Sequence, residues 1–345
     1  MSGHSFDLLF EKFKLVSEES LWILDENLPL NYPPLNTNIK VISNRFDVVE
    51  SMCKLGFDAS FSDFNFSALN NIDYQFIFYR ISKEKSLTHY IINSAARLLA
   101  KDGQLILSGA KQEGIKGYLE RATKLFNTVQ IYKADKSHWA GIFTKANVKA
   151  VFLDDKKYAQ IRPIVNSDSN FIYQTKPGVF GWNKIDQGSL LLIEQLKSLY
   201  DEKVPPHKIL DIGCGYGYLS INCALIFNSF ITACDNNAAA VDTCRANFNS
   251  HNINGEVVAT NCTDGIDGHY DLIVCNPPFH NGFGVESDLT DRFLQGAKQR
   301  LAKGGIAVFV VNLHIPLERK AKSSFQQIET IANNQHFKVI VLTNH

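Results

Sequence analysis

Two short stretches in the second half of the chain hold residue types that could do chemistry. In DIGCGYG, Asp211 leads Gly213, Gly215 and Gly217, directly after an apolar β-type run and before a helical pattern. Glycines so placed let the backbone turn sharply and approach a ligand with no Cβ in the way. Such a turn alone is a weak signal. Asp235, 24 residues on, ends the next strand pattern, where a carboxylate can accept both hydroxyls of a ribose. Together they point to a nucleoside-bearing cofactor. The D-x-G-x-G-x-G spacing is tighter than the dinucleotide G-x-G-x-x-G and suits S-adenosylmethionine better than NAD. There is no pyrophosphate to cradle, and Asp211 is free to order the loop near the methionine amino group. The plainer alternative is a tight βα turn with a solvent-facing Asp235.

The second stretch is DLIVCNPPFHNG, residues 271–282. Pro277 and Pro278 remove two backbone donors and fix two φ angles, so the strand must stop at Asn276 in a stiff turn. With a methyl donor nearby, that turn has a use. An amino nitrogen on an aromatic base is a poor nucleophile because its lone pair is delocalised into the ring. If the Asn276 side-chain oxygen and the Pro277 carbonyl each accept one N–H, the lone pair is localised and aimed at the sulfonium methyl. Phe279 can then stack on a base turned out of its helix. The plainer alternative is that the prolines only end a strand and Phe279 tucks into the core.

The elements that must position these motifs are legible from about residue 205. Apolar β-type runs alternate with helical patterns through KILDIG, YLSINCALIF, SFITACD, AAAVDTCRANFNSHN, GEVVAT, YDLIVC, DLTDRFLQGAKQRLAKGG and IAVFVVN. That order predicts an α/β, doubly wound, mostly parallel sheet, which binds ligands at the carboxyl ends of its strands. The last helix is expected to run through to its glycine stop at 304–305. A worn copy of the same design lies upstream. LLAKDGQLILSG (98–109) matches RLAKGGIAVFVVN (300–312), IDYQFIFYRIS (72–82) stands for the NPPF strand, and LWILDENL (21–28) for KILDIGCGYG. A repeat of this length implies two similar domains, placed at 1–160 and 161–345. In the first, Glu26-Asn27 replace the glycines, Ser43-Asn44 the acid, and Tyr79-Arg80 the prolines.

The rest of the sequence narrows the class. At 345 residues the chain suits two domains, and 45% hydrophobic with 20% charged residues is the balance of a folded protein rather than a disordered one. Thirty-five basic residues cancel 35 acidic ones, so no global charge marks a nucleic-acid partner. Residues 133–176 are locally basic, with Lys156 and Lys157 among their charges and Trp139, Tyr158, Phe171 and Tyr173 interleaved. Such a stretch could contact RNA phosphates or could be a solvated face. Seven cysteines without a C-x-x-C pair argue for reduced core thiols and against a disulfide framework or a metal site. With neither a signal-peptide pattern nor an apolar run of about 18 residues, a cytoplasmic protein off the membrane is expected.

Taken together, DIGCGYG, Asp235 and NPPF resemble class I methyltransferases that act on planar amino groups. TKPGVFGWNKIDQGSLLL (175–192) and NPPFHNG (276–282) are similar to the RsmC family of 16S rRNA guanine-N2 methyltransferases. That family pairs a degenerate methyltransferase-like domain with an active C-terminal one. The resemblance implies a cofactor loop of Asp211, Gly213, Gly215 and Gly217, a ribose ligand in Asp235, and Asn261 with Cys262 beside the adenine. Asp186 and Gly188 would close over the methionine end. Asn276, Pro277 and Phe279 would hold the target base, with Pro278, His280 and Gly282 completing the substrate loop. The implied partner is 16S rRNA in the 30S subunit, with a monomer as the expected working form. One departure is Leu317, where the family usually carries an aromatic, which leaves part of the base pocket open. Two alternatives remain: a 23S rRNA guanine-N2 enzyme of the same architecture, and a non-catalytic RNA-binding assembly factor with a vestigial cofactor site.

Overall fold

The computed structural model describes residues 3–13, 19–25, 39–69, 73–145, 151–164, 171–278 and 285–344. Met1–Gln160 and Ile161–His345 form two compact units.

The first unit contains helices α1 (Gly3–Phe13), α2 (Phe46–Lys54), α3 (Lys85–Leu98) and α4 (Ile115–Ala122). Its strands are β1 (Ser20–Leu24), β2 (Lys40–Ser43), β3 (Ala59–Phe61), β4 (Tyr74–Arg80), β5 (Leu99–Ala110), β6 (Phe126–Lys133) and β7 (His138–Lys145). They form one sheet in the order β3-β2-β1-β4-β5-β7-β6. The second unit opens with a short ribbon of β8 (Arg162–Pro163) and β9 (Gln174–Thr175), then α5 (Gln187–Leu199). There follow β10 (Lys208–Ile212), α6 (Tyr218–Phe227), β11 (Phe230–Asp235), α7 (Ala238–His251), β12 (Gly255–Ala259), β13 (Tyr270–Cys275) and α8 (Val285–Arg300). The chain ends with β14 (Leu301–Asn312), α9 (Leu317–Ala321), β15 (Gln327–Asn333) and β16 (Phe337–Thr343). The sheet order is β12-β11-β10-β13-β14-β16-β15, the same as in the first unit. Six strands in each run in one direction, and the seventh, β7 or β16, runs antiparallel between two of them.

Alternation along the central strands explains the double winding. Ile209, Ala233, Leu272, Val274 and Val308 face one apolar cluster with α5, α6 and α7. Their neighbours Leu210, Ile212, Ile273, Cys275 and Phe309 face another, with α8 and α9. Strands buried on both faces read as continuous apolar runs, which is why KILDI and YDLIVC were recognisable. α7 is capped by the Asn237 side chain, which accepts the Ala239 N–H at 2.9 Å. It stops at Asn252 in the left-handed conformation.

Two sequence expectations need correction. Helix α8 ends at Arg300, not at the glycines; Leu301 already pairs with Tyr270, and the strand passes an irregularity before Ile306 pairs with Leu272. β5 makes the same passage from Tyr74–Leu99 to Phe76–Gln104. A Cβ on Gly305 would lie 2.9 Å from the Asp271 carbonyl, and one on Gly103 would lie 2.8 Å from that of Tyr74. The LAKGG and LAKDG repeats are therefore retained to let two strands close past each other. The second correction concerns the aromatics of the basic stretch. Trp139, Tyr158 and Tyr173 are buried, and the Tyr158 hydroxyl donates to Asp63 at 2.7 Å inside the first unit. They belong to cores and offer no stacking surface.

The matched register also aligns the two units residue by residue. Ile23 lies opposite Tyr79, as Ile212 lies opposite Cys275. Trp22 thus stands in the place of Asp211, Ser43 in that of Asp235, and Arg80 in that of Asn276. Tyr79-Arg80 consequently occupy the Cys275-Asn276 positions, and the places of the two prolines fall to Ile81 and Ser82.

Candidate active site

The carboxyl ends of β10, β11, β12 and β13 lie side by side and carry most of the residues singled out above. After β10 the chain turns through Gly213, Gly215 and Gly217 at φ +76°, +56° and +88°, a region that side chains other than glycine seldom enter. Gly217 has a second reason to lack a side chain, since a Cβ there would meet the Cys244 sulfur at 2.8 Å. At Gly215 a Cβ would meet, among the described residues, only Val179, at 4.0 Å, so a side chain is excluded here by the left-handed φ and not by crowding.

Asp211 is fully buried. Its Oδ2 accepts the Ser220 N–H at 3.0 Å and the Ser220 hydroxyl at 2.6 Å, tying β10 to α6 around the glycine turn. Its Oδ1 has no hydrogen-bond partner among the described residues. Burial pushes the carboxyl up to about 7 against the lowering pull of the Ser220 bonds. Asp235 is only partly buried. One oxygen accepts the Gly215 N–H at 3.0 Å and the other the Asn237 N–H at 2.8 Å. Each carboxylate oxygen can accept two hydrogen bonds, and the carboxylate stands at the strand end beside the glycine turn.

The turn after β12 closes the far side. Thr260 donates its N–H to the Asp235 carbonyl at 3.0 Å, Asn261 Oδ1 accepts from Arg292 at 2.9 Å, and Cys262 sits at φ +62°. Gly296 lets α8 approach this turn, because a Cβ there would lie 2.7 Å from Thr263 Oγ1. On the other side, Asn247 is fully buried and staples the β9 segment to the glycine turn through Gln174 and the Tyr216 carbonyl.

Asn276 ends β13 and is held from a distant part of the chain. Its Nδ2 donates to Asp186 Oδ2 and to Ser189 Oγ, both at 2.8 Å. Asp186 is the N-cap of α5, accepting the Ser189 N–H at 2.8 Å. Gly188 is buried in α5, with the Phe337 ring and the Asp186 carboxylate 3.0 and 3.1 Å from where a Cβ would be. Pro277 is buried and Pro278 exposed. Phe279, His280 and Gly282 lie outside the described residues. Lys156 and Lys157 belong to the first unit, where Lys156 pairs with Asp154 at 2.7 Å on the surface. Leu317 is fully buried among the apolar side chains of α8 and α9, so it packs the core and lines no pocket. Sequence reasoning missed Ser189, Ser220, Asn237 and Asn247. For Ser189 and Asn237 a signal existed: Asp-x-x-Ser and Asn before an alanine run are helix-start patterns.

Residues 170–341 match the family described as "Methyltransferase small domain", and residues 14–160 match "Methyltransferase small domain N-terminal". Curated relatives named ribosomal RNA small subunit methyltransferase C include one from Shewanella halifaxensis, 25% identical with 98% of each chain covered. Another, from Shigella flexneri, is 29% identical over 83% of this chain and 80% of the relative. The chain belongs to the RsmC family. Among solved structures, the 16S rRNA N2 G1207 methyltransferase of T. thermophilus, in complex with AdoMet and guanosine, superposes with a TM-score of 0.85. That match has 21% identity and covers 99% of this chain and 92% of the other; at that identity it speaks for the fold.

The family's cofactor is S-adenosylmethionine. The residues present fit it: a left-handed glycine turn that is partly exposed at Gly213 and Gly215, a partly exposed Asp235 carboxylate, and a buried Asp211 oxygen without a partner among the described residues beside that turn. Among the described residues no group of three or more His, Cys, Asp or Glu side chains could hold a metal ion. No helix among them is long and apolar enough to cross a membrane. Cys223, Cys234, Cys244 and Cys275 are buried free thiols pushed up by burial, and Cys214 is pushed up by its hydrogen bond with Cys244 and then by burial.

Proposed function

We propose that this chain methylates the exocyclic N2 of a guanine in 16S rRNA, acting as a monomer on the assembled or nearly assembled 30S subunit. The observation that carries the reading is the state of Asn276. Both hydrogens of its amide are engaged by Asp186 and Ser189, which leaves its carbonyl oxygen to receive a donor at the strand edge that also holds the glycine turn. Bound S-adenosylmethionine supplies an electrophilic methyl group. The chain's own part is to localise the lone pair of the target nitrogen. Asn276 Oδ1 and the Pro277 carbonyl accept its two N–H groups, and the stiff diproline turn keeps both acceptors still. No strong base is needed before transfer, and the proton leaves the methylated amine for solvent.

A pocket that holds one base by its amine and its π-face cannot choose among many guanines, so selection needs a wider surface. The first unit, which lacks the glycines and the acid, is proposed to supply it by contacting rRNA phosphates. Lys156 and Lys157 are candidate contacts there. The relatives' names and the guanosine complex of the T. thermophilus protein support this substrate class. The test is transfer of labelled methyl to 30S and 50S particles from cells lacking the gene, followed by nucleoside analysis. N2-methylguanosine in 16S rRNA is the expected product. N6-methyladenosine, or labelling of 50S particles alone, would overturn the proposal.

A further inference from the structure

Asn276 is separated from Asp186 by 90 residues and from Ser189 by 87, yet both meet the same nitrogen. A carboxylate can only accept hydrogen bonds, so the group facing Asp186 Oδ2 at 2.8 Å must be the NH2 end of the amide. The reverse orientation would set two acceptor oxygens against each other. Ser189 Oγ takes the second hydrogen at 2.8 Å, so Nδ2 has none left for a ligand and Oδ1 points away from the pair.

We infer that Asp186 and Ser189 are positioning residues that aim the Asn276 carbonyl at the methyl acceptor and so make the pocket select an N–H donor. The inference rests on the reading that Asn276 faces the substrate. The pair is rigid for reasons that are local to α5. Asp186 spans two jobs with one oxygen, capping the helix through the Ser189 N–H and holding Asn276. Its own carbonyl accepts the first helical bond from Leu190 at 3.0 Å. Gly188 leaves room for the carboxylate to fold back, since a Cβ would sit 3.1 Å from Oδ2. Ser189 is 7% exposed, so its hydroxyl is shielded from competing water. A charged acceptor also polarises the amide and strengthens its carbonyl as an acceptor in turn. A ring nitrogen or carbonyl oxygen presented to this site would meet lone pair against lone pair, whereas an exocyclic amine meets an acceptor for each hydrogen.

The test separates orienting from capping. Ser189→Ala keeps the backbone bond to Asp186, and Asp186→Ser keeps a capping oxygen on a side chain too short to reach Asn276. Ser189→Ala should lower kcat about tenfold with the S-adenosylmethionine Kd unchanged, and Asp186→Ser should lower kcat about 10- to 100-fold, with the melting temperature of both close to that of the parent chain. In an Asn276→Ala background neither change should cost anything more, because both act through that side chain. A second readout needs no substrate: the side-chain amide protons of Asn276, followed by NMR in the full chain, should exchange slowly, and Ser189→Ala should free one of them. Losses that add to that of Asn276→Ala, or a wild-type amide that exchanges like an exposed one, would overturn the inference. If the amide is protected but no N2-methylguanosine forms, the proposed function fails while the orientation stands.

Discussion

The same sheet edge occurs twice in this molecule, and the two copies use it in opposite ways. In the second unit, Asp235, Asn276 and Gly215 are partly exposed, and the Asn276 amide engages its fold partners only through its nitrogen, which leaves its carbonyl oxygen for a ligand. In the first, the corresponding positions are buried and filled by side chains of the same unit. Arg80, at the place of Asn276, is buried in an ion pair with Glu113, both about 5% exposed, and lies over the Phe6 ring at 5.9 Å. Trp22, at the place of Asp211, is fully buried and packs edge-on against Phe13 at 4.9 Å and Phe10 at 5.8 Å. Glycines needed for strands to pass each other survive in both copies, at Gly103 and Gly305. Backbone geometry is thus shared, and the difference lies in whether polar groups at the strand ends are spent on the fold or kept for a ligand.

Four measurements would break or sharpen this contrast. The largest effect is expected from Arg80→Ala, which strands Glu113 as a buried charge; loss of one partner of such a pair costs about 3–5 kcal/mol. Urea unfolding should show that loss with S-adenosylmethionine affinity intact. If stability is unchanged, the first unit's strand end is not a filled site.

The second measurement concerns the buried carboxyl of the active copy. The folded chain holds a proton on Asp211 up to about pH 7, while the unfolded chain loses it near the ordinary carboxylate value. Stability from this group is therefore full at low pH and falls as pH rises through roughly 4 to 7, by about 4 kcal/mol at most. Asp211→Asn should flatten that slope, so the urea midpoints at pH 5 and pH 8 should draw together. An undiminished slope would place the titration elsewhere.

Third, Asn276→Ala should lower turnover by about 10² to 10³ while leaving cofactor affinity nearly intact. Equal losses in binding and turnover would make Asn276 a structural residue like its counterpart Arg80.

The smallest effect is expected at the basic stretch. Lys157→Glu should raise the KM for 30S particles a few-fold and reduce the salt slope of binding by about one. Lys156→Glu should do less, because Lys156 already pairs with Asp154. Salt-independent binding would remove the phosphate-reading role of this unit.

Features that depend on short-range spacing can be read from the residues alone. The tight glycine turn, an acid at the end of the next strand and a diproline stop are each written within a few residues, because they answer to local backbone geometry. So are the five parallel strands of the second unit, whose double burial leaves continuous apolar runs. The repeat was legible for the same reason, since LAKDG and LAKGG serve one local passage between strands. Only the tertiary structure decided which groups meet across long separations. The pairing of Asn276 with Asp186 and Ser189 bridges about 90 residues, and no spacing rule reaches that far. The placement of Trp22 opposite the role of Asp211 came from strand register, which a string match around LWILD could not resolve. Burial likewise drew the aromatics at 139, 158 and 173, interleaved in sequence with the basic residues, into the cores. Residue type states what a side chain is able to do, and the neighbours that folding brings to it decide whether that capacity is consumed or left for a substrate.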